Sequence, residues 1–179
     1  MAANDKFDLR GINHLALVCR DMKTTVDFYS GVLGMPLTKT IELPNGAGQH
    51  FFFDIGKGDS LAFFWFPNAA ESQPGVTHAG DLVGRGDITS AHASMNHVAF
   101  DVPEEKIEAY QRQLKAAGVD VTEVVNHDDS ETGASPEITE STFVRSIYFQ
   151  DPDGILLEFA AWTRELDERD VNIAPVSVD

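Results

Sequence analysis

The chain carries one short phrase twice, and this repeat constrains its fold more than any other feature. The phrase reads NHLALV over residues 13–18 and NHVAFD over residues 96–101. In each copy a histidine lies early in an apolar run, and a helical stretch that ends at a glycine follows. Because a repeated fold unit repeats its positions in space, the pattern predicts that His14 and His97 come together as two metal ligands.

The first predicted unit covers residues 8–66 and contains a strand, a helix and three further strands. Apolar residues alternate along residues 12–18, which predicts a strand that carries His14 on one face. Asp21 is placed to cap the following helix, and Gly34 ends it. The expected elements are a strand over 12–18, a helix over 22–33, an extended segment from 36, and strands over 49–55 and 60–66.

The second predicted unit, residues 95–162, repeats this order. Its expected elements are strands over 95–102, 119–125, 143–149 and 155–162, with a helix over 104–117. Residues 67–94 are longer than an ordinary connection and rich in Gly, Ala, Ser and Asp, so they form either a linker or a loop that covers a site. Residues 163–179 form a charged tail that we expect to be partly helical up to Arg169.

Neither unit can bury a sheet face alone, so the two units must pack together. Their pairing predicts an α+β fold. In it, two tandem βαβββ modules form a curved mixed sheet around a metal-binding cavity, with the helices outside.

Composition argues against several classes of function. The chain has 179 residues, 42% of them hydrophobic, which is enough to build a real core. Its formal net charge of −16 repels phosphate backbones and anionic lipids, so we expect a small-molecule substrate and neither nucleic-acid nor membrane binding. A single cysteine, Cys19, and the lack of an apolar leader core in residues 1–6 fit a cytoplasmic protein.

An ionisable residue in the last apolar run adds a third candidate ligand. Glu158 lies within the sequence ILLEFAAW at residues 155–162. A buried carboxylate needs a cation, a hydrogen-bond network or a raised pKa. If the first and last strands of the units face one cavity, His14, His97 and Glu158 converge there. Two imidazoles and one carboxylate suit Fe(II), Mn(II), Zn(II) and similar ions, and they leave coordination positions open.

At this point the chain resembles the vicinal oxygen chelate superfamily, which includes glyoxalase I, extradiol dioxygenases, methylmalonyl-CoA epimerase, and fosfomycin and bleomycin resistance proteins. The resemblance covers roughly residues 10–162. The motifs that carry it are NHLA at 13–16, DFYSGVLGM at 27–35, NHVAF at 96–100 and FQDPDGILLE at 149–158. In this family the ligands lie on the first and last strands of each unit. The resemblance therefore implies the ligand set His14, His97 and Glu158.

The fourth family position falls within residues 62–65, which read AFFW and cannot bind a metal. The remaining set resembles the three-ligand iron site of extradiol dioxygenases, so Fe(II) is favoured, with Mn, Zn or Ni as alternatives. Tyr148 matches the place where those enzymes carry a tyrosine that hydrogen-bonds a substrate oxygen. The distal acid or base histidine of that pattern has no match by position. His50, which opens the preceding strand, is the first candidate for it, and His78, His92 and His127, in loops, are the alternatives.

Three readings of function stay open. The leading one is a metalloenzyme with dioxygenase-like chemistry on a small substrate that chelates the metal through adjacent oxygens. The second is a glyoxalase-type lyase, isomerase or epimerase that recruits His50 or a residue of a partner chain in a homodimer. The third is a non-catalytic, drug-sequestering protein, although its known members typically lack the metal ligands. The remaining histidines, His78, His92 and His127, are expected at the surface, and Arg145 is expected to form ion pairs.

Overall fold

The computed structural model describes Lys6 and residues 9–177. Residues 1–5, 7–8 and 178–179 lie outside this part. These residues include most of the amino-terminal segment 1–6, for which the sequence predicts no leader. They also include the start of the first predicted unit and the end of the tail. Two mixed β-sheets with short peripheral helices make up the described chain, which confirms the predicted α+β fold. No helix within residues 9–177 is both long and apolar enough to cross a membrane.

The first half of the chain forms a four-stranded sheet in the order β1-β4-β3-β2. Its elements are β1 (His14–Val18), α1 (Met22–Val26), a π-helix (Asp27–Val32), β2 (Leu37–Leu43), a short 3₁₀ turn (Pro44–Gly46), β3 (Gly48–Gly56) and β4 (Asp59–Trp65). The side chain of Asp21 accepts a hydrogen bond from the Thr24 N–H at 2.7 Å and so caps α1 as expected. The single helix expected over 22–33 is an α-helix that widens into the π-helix.

The second half forms a five-stranded sheet in the order β5-β9-β8-β6-β7. Its elements are β5 (His97–Asp101), a 3₁₀ turn (Glu104–Lys106), α2 (Ile107–Ala116), β6 (Val125–Asp128), β7 (Ala134–Ser135), β8 (Thr142–Gln150) and β9 (Leu156–Trp162). In both sheets the opening strand runs parallel to the closing strand, so that His14 lies opposite Ser60 and His97 opposite Leu156. Within the described part of the tail, residues 163–177, the one helical element is a 3₁₀ turn at Glu168–Asp170.

The strand expected over 119–125 is wrong, because the ladder beside β8 is interrupted there. Val121 makes only an isolated bridge with Phe149. Next to it, the Tyr148 N–H donates to the Thr122 hydroxyl at 3.0 Å rather than to a backbone carbonyl. The Thr122 carbonyl in turn accepts from the Gln111 side chain at 2.6 Å. Side chains thus satisfy the backbone here, and regular pairing begins only at β6.

The main core lies between the two units rather than inside either of them. From the first unit it takes fully buried aromatic side chains such as Tyr29, Phe53 and Phe63, and from the second Phe149 and its neighbours. Alternation along β1 and β5 sends one face of each strand into this core. The other face, which carries the histidine, points away from it. The histidine-bearing faces of the two sheets therefore do not form one continuous cup within this chain.

Two ion pairs tie the units together at opposite sides of this core. Arg20, just after β1, meets Asp153 in the turn between β8 and β9, with Nε and Oδ1 3.7 Å apart. Asp101, at the end of β5, meets Lys57 in the turn between β3 and β4, with Nζ and Oδ2 3.0 Å apart. Beneath the first pair, the Tyr29 hydroxyl donates to the carboxylate of Asp151 at 3.1 Å.

The segment 67–94 folds back over the second sheet. Its Ala79 and Leu82 are buried and pack with Tyr148 and Leu156 on the face of β8 and β9 that carries Glu158. The segment therefore covers part of that face.

Candidate metal centre

His97 and Glu158 meet on the neighbouring strands β5 and β9. In the register of β5 and β9, Glu158 lies opposite Ala99, two residues along the strand from His97. Because side chains two residues apart on a strand share a face, His97 and Glu158 project from the same face. The His97 Nε2 lies 3.2 Å from the Glu158 Oε2. Glu158 is only 5% exposed, whereas the imidazole is partly open to solvent. A half-open pair of this kind leaves one side free for a further ligand.

The carboxylate of Glu158 is held by a hydrogen-bond network as well as by His97. Its Oε1 accepts from the Tyr148 hydroxyl at 3.0 Å and from the Ser146 hydroxyl. Burial by itself raises the pKa of Glu158, but the hydrogen bonds from His97, Ser146 and Tyr148 outweigh it and hold that pKa below its usual value. The hydrogen bond to Glu158 raises the pKa of His97, and burial of Tyr148 raises its pKa. Glu158 is thus kept ionised inside the protein.

A second histidine joins this network. His127 on β6 places its Nε2 2.9 Å from the Tyr148 oxygen, and its ring stands at 89° to the tyrosine ring. His127 is half-buried in this contact, so it is neither a free surface residue, as expected, nor fully enclosed. The surface prediction is wrong for His78, which is 4% exposed within segment 67–94, whereas His92 is exposed as expected. The sequence gives no signal for His127, because it lies in a polar, acidic stretch.

The asparagine of the repeated phrase orients the histidine that follows it. The Asn13 and Asn96 side-chain oxygens lie 2.9 Å from the Nδ1 atoms of His14 and His97, respectively. The amide group of Asn96 also donates to the Ile88 carbonyl at 2.7 Å, which fixes its oxygen toward His97. With Nδ1–H engaged in this way, Nε2 of each imidazole is left as the ligand atom. The asparagine is repeated in the sequence together with the histidine, and this repetition is the signal that could have predicted its orienting role.

His14 does not join the pair within this chain. It lies on the exposed face of β1, where its ring packs edge-on against Phe52 with centroids 5.5 Å apart. No group of three His, Cys, Asp or Glu side chains in the described part of the chain is placed to hold a metal ion. The three-residue ligand set therefore stays a prediction, and the chain by itself assembles two of its members.

His50 lies on the same face of the first sheet as His14. Its ring stacks on Phe64 with centroids 3.6 Å apart, and its Nδ1 lies 3.1 Å from the Phe63 carbonyl oxygen. Phe52 separates His50 from His14. The Nε2 of His50 is thereby left free on an aromatic surface. Arg145 projects from the opposite face of its sheet, and its Nη2 lies 2.5 Å from the Glu108 Oε1. This confirms the prediction that Arg145 forms ion pairs.

The donor atoms fit a divalent metal. Nitrogen and oxygen ligands of first-row metals lie about 2.0–2.2 Å from the ion, which places adjacent ligands about 3 Å apart. The separation of 3.2 Å between His97 Nε2 and Glu158 Oε2 matches that spacing. The two residues present thus suit the metal that the sequence pattern implies.

The chain is similar in sequence to two curated proteins. Metallothiol transferase FosB of Shouchella clausii is 29% identical over 151 residues, which cover 84% of this chain and 79% of that protein. Putative ring-cleaving dioxygenase MhqE of Bacillus subtilis is 26% identical over 117 residues, but the match spans only 33% of its length.

A solved structure shows the same fold. It is a variant of the fosfomycin resistance protein FosX of Listeria monocytogenes complexed with Mn(II) and 1S,2S-dihydroxypropylphosphonic acid. It superimposes with a TM-score of 0.57 at 20% identity, over 87% of this chain and 94% of FosX. A family model matches residues 11–159. The chain belongs to the Glyoxalase/Bleomycin resistance protein/Dioxygenase superfamily.

Proposed function

We propose that the protein is a metal-dependent enzyme whose site contains His97 and Glu158 of one chain and His14 of a second copy. The observation that carries this proposal is the pair His97 and Glu158, whose Nε2 and Oε2 lie 3.2 Å apart within a satisfied hydrogen-bond network. Fe(II) is the favoured metal, and Mn, Zn or Ni are the alternatives. Once bound, such an ion acts as a Lewis acid and as a template for two neighbouring substrate oxygens.

A second copy of the chain is proposed because the two histidine-bearing faces belong to separate sheets. His14 has its Nδ1 held by Asn13, as His97 has its Nδ1 held by Asn96, yet the two histidines belong to separate sheets. Exposed apolar side chains accompany His14 on its face, among them Val18 at 49%. If the first sheet of one molecule covers the second sheet of another, a symmetric dimer buries both faces and completes two sites.

Three further residues have separate roles in this proposal. Tyr148 holds Glu158 and presents a hydroxyl beside it, where it contacts a bound substrate oxygen. His127 fixes the orientation of that phenol. His50 offers a free Nε2 on the aromatic face that the partner brings, and so it is the candidate to move a proton at the substrate.

The substrate we infer is a neutral or weakly charged ring with two adjacent oxygens. Among the described residues, the strand positions that share the histidine-bearing faces carry a single Lys or Arg, Lys39, which lies opposite Phe52 on the edge strand β2. Aromatic side chains line the His14 face instead, with Phe52 and Phe64 in the centre. This surface suits a catechol-like ring better than a strongly anionic group, which favours dioxygenase-like chemistry.

A second candidate is the addition of a thiol or of water to a small electrophile, or a related lyase or isomerase reaction. It is favoured by the extent of the match with FosB, which spans 79% of that protein, against 33% for the ring-cleaving relative. A non-catalytic binding protein is the third candidate, and the retained pair of ligands speaks against it.

Metal binding tests the proposal first. Anaerobically purified protein should take up about one Fe(II), Mn(II) or Zn(II) per chain, and Glu158→Gln should lower the affinity strongly. Glu123→Gln, which alters an exposed carboxylate paired with Lys115, is the matched control. Unchanged occupancy in the Glu158 variant would show that the ligand set is wrong.

Mixed variants test the second copy. His14→Ala and Glu158→Gln should each lose metal binding, and unfolding and refolding them together should restore about a quarter of the wild-type capacity. The reason is that half of the random dimers are mixed and each carries one intact site. No restoration would place all three ligands in one chain or refute the set. Oxygen uptake with a catechol panel, compared with consumption of a thiol and an epoxide, then separates the two enzymatic candidates.

A further inference from the structure

A cavity of about 480 Å³ lies between the two units under segment 67–94, and at one side it reaches Val18 at the end of the His14 face. Much of its wall belongs to the main core, since Leu17, Cys19, Met95 and Ile155 line it. Trp65 closes another side. Its size is within the range of small-molecule sites, which are typically about 300–1,000 Å³.

One buried side chain that lines this cavity has a ring nitrogen without a hydrogen-bond partner among the described residues, and this atom is not sealed from solvent. His78 is 4% exposed and lines the cavity. Its Nδ1 lies 2.8 Å from the Ala79 carbonyl oxygen, and because a carbonyl only accepts, Nδ1 carries the proton. Nε2 is therefore an acceptor, and no group within the described part of the chain donates to it. Gly154 lies beside it, where even a methyl group would come within 2.9 Å of Nε2.

Two of the cavity's donors are already used, while the Ser72 hydroxyl and the Arg20 guanidinium also line it. The Trp65 indole N–H donates to the Arg20 carbonyl at 3.1 Å, and the Thr77 hydroxyl donates to the Gln73 carbonyl at 3.1 Å. Arg20 itself lies at the mouth, where its side chain is 71% exposed and paired with Asp153. Because none of these groups donates to His78 Nε2, a molecule in the cavity can supply that donor itself.

We propose that this cavity is a second binding site, which takes a neutral compound with an apolar ring and one O–H or N–H group that donates to His78 Nε2. The site does not depend on the metal centre proposed above. The apolar wall supplies the driving force through burial of the ring, and His78 selects for the donor.

A matched pair of probes tests the site on metal-free protein, so that a phenol has no metal to coordinate. The probes are 4-tert-butylphenol and tert-butylbenzene, which share their apolar body and differ in the hydroxyl. A Trp162→Phe background leaves Trp65 as the one tryptophan, since the chain has two. We expect saturable change of Trp65 fluorescence with the phenol and affinity at least about fivefold weaker for tert-butylbenzene. The ring Nε2 resonance of ¹⁵N-labelled His78 should shift with the phenol only.

Two variants complete the test. His78→Leu should reduce the affinity for the phenol to that for tert-butylbenzene, and His92→Leu, in the same segment but exposed, should leave it unchanged. Equal affinities for the two probes, no saturation with the phenol, or full binding by the His78 variant would each overturn the proposal. If the His78 variant does not fold, the ¹⁵N resonance of the wild-type protein decides, and an unshifted resonance refutes the site.

Discussion

The buried carboxylate of Asp151 should make the protein less stable as the pH rises from about 4 to about 6. Asp151 is 6% exposed, and burial raises its pKa to about 6. An aspartate in an unfolded chain titrates near pH 3.9, so the folded protein binds more protons between these two values. By linkage the free energy of unfolding then falls with rising pH across this window and stays lower above it.

The structure also sets the size of the effect. A shift of roughly two pKa units, at 1.36 kcal/mol each, corresponds to about 3 kcal/mol at neutral pH as an upper value. Asp151→Asn removes the charge and keeps the contacts. The amide oxygen accepts from the Asp153 and Ile155 N–H groups, now at 2.9 and 2.8 Å, and the amide nitrogen faces the Tyr29 hydroxyl oxygen.

We therefore expect Asp151→Asn to raise the free energy of unfolding at pH 7.5 by about 1–3 kcal/mol and to have little effect at pH 4. Urea titrations followed by circular dichroism at several pH values measure this difference directly. Tyr29→Phe is the control, because it removes the hydroxyl that helps to lower the pKa of Asp151 while the carboxyl stays buried. That variant should be less stable, yet it should keep the pH dependence. Parallel stability curves of the wild type and Asp151→Asn between pH 4 and 7 would refute the reasoning.

Three further predictions concern metal affinity and packing. Asn96→Ala should weaken metal binding by about 10–100-fold in a metal titration, because His97 loses the group that orients it, and unaltered affinity would remove Asn96 from that role. Phe63→Ala should cost about 3–5 kcal/mol of unfolding free energy in urea, whereas Phe66→Ala, at a residue 37% exposed, should cost much less, and similar losses would contradict the assigned core. Gly48→Ala should lower the free energy of unfolding by more than about 3 kcal/mol, because its Cβ would lie 1.9 Å from the Trp65 carbonyl oxygen. Gly31→Ala, whose Cβ would meet nothing within 4 Å, should leave the melting temperature equal or higher.

The sequence predicted the fold where periodicity and turn residues agreed. Both histidine strands, both helices and the two long hairpins lie close to their expected positions, because each combines an apolar alternation or stripe with a clear stop signal. The strand expected over 119–125 failed for a tertiary reason. Its apolar pattern is typical of a strand, but the Thr122 side chain occupies the hydrogen-bonding position that a ladder needs.

Of the candidate site, the sequence predicted the pair that strand register brings together. His97 and Glu158 meet because β5 and β9 are neighbours, and the repeat together with the apolar setting of Glu158 pointed to both. The contact of His127 with Tyr148 depends on a polar strand that no pattern marks. The burial of His78 depends on how segment 67–94 folds, which its Gly- and Ser-rich composition does not encode locally.

The two ion pairs between the units also favour one pairing of the halves over the others. Lys57 and Asp153 occupy matching positions in the two hairpin turns, each three residues before the residue opposite the histidine, Ser60 or Leu156. If two first units packed together, Lys57 would face Arg20, and if two second units did so, Asp153 would face Asp101. Like charges would then meet at both sides of the core. The opposite signs of these turns thus let a duplicated chain tell its own halves apart, and they favour unlike pairing although the two halves share one fold.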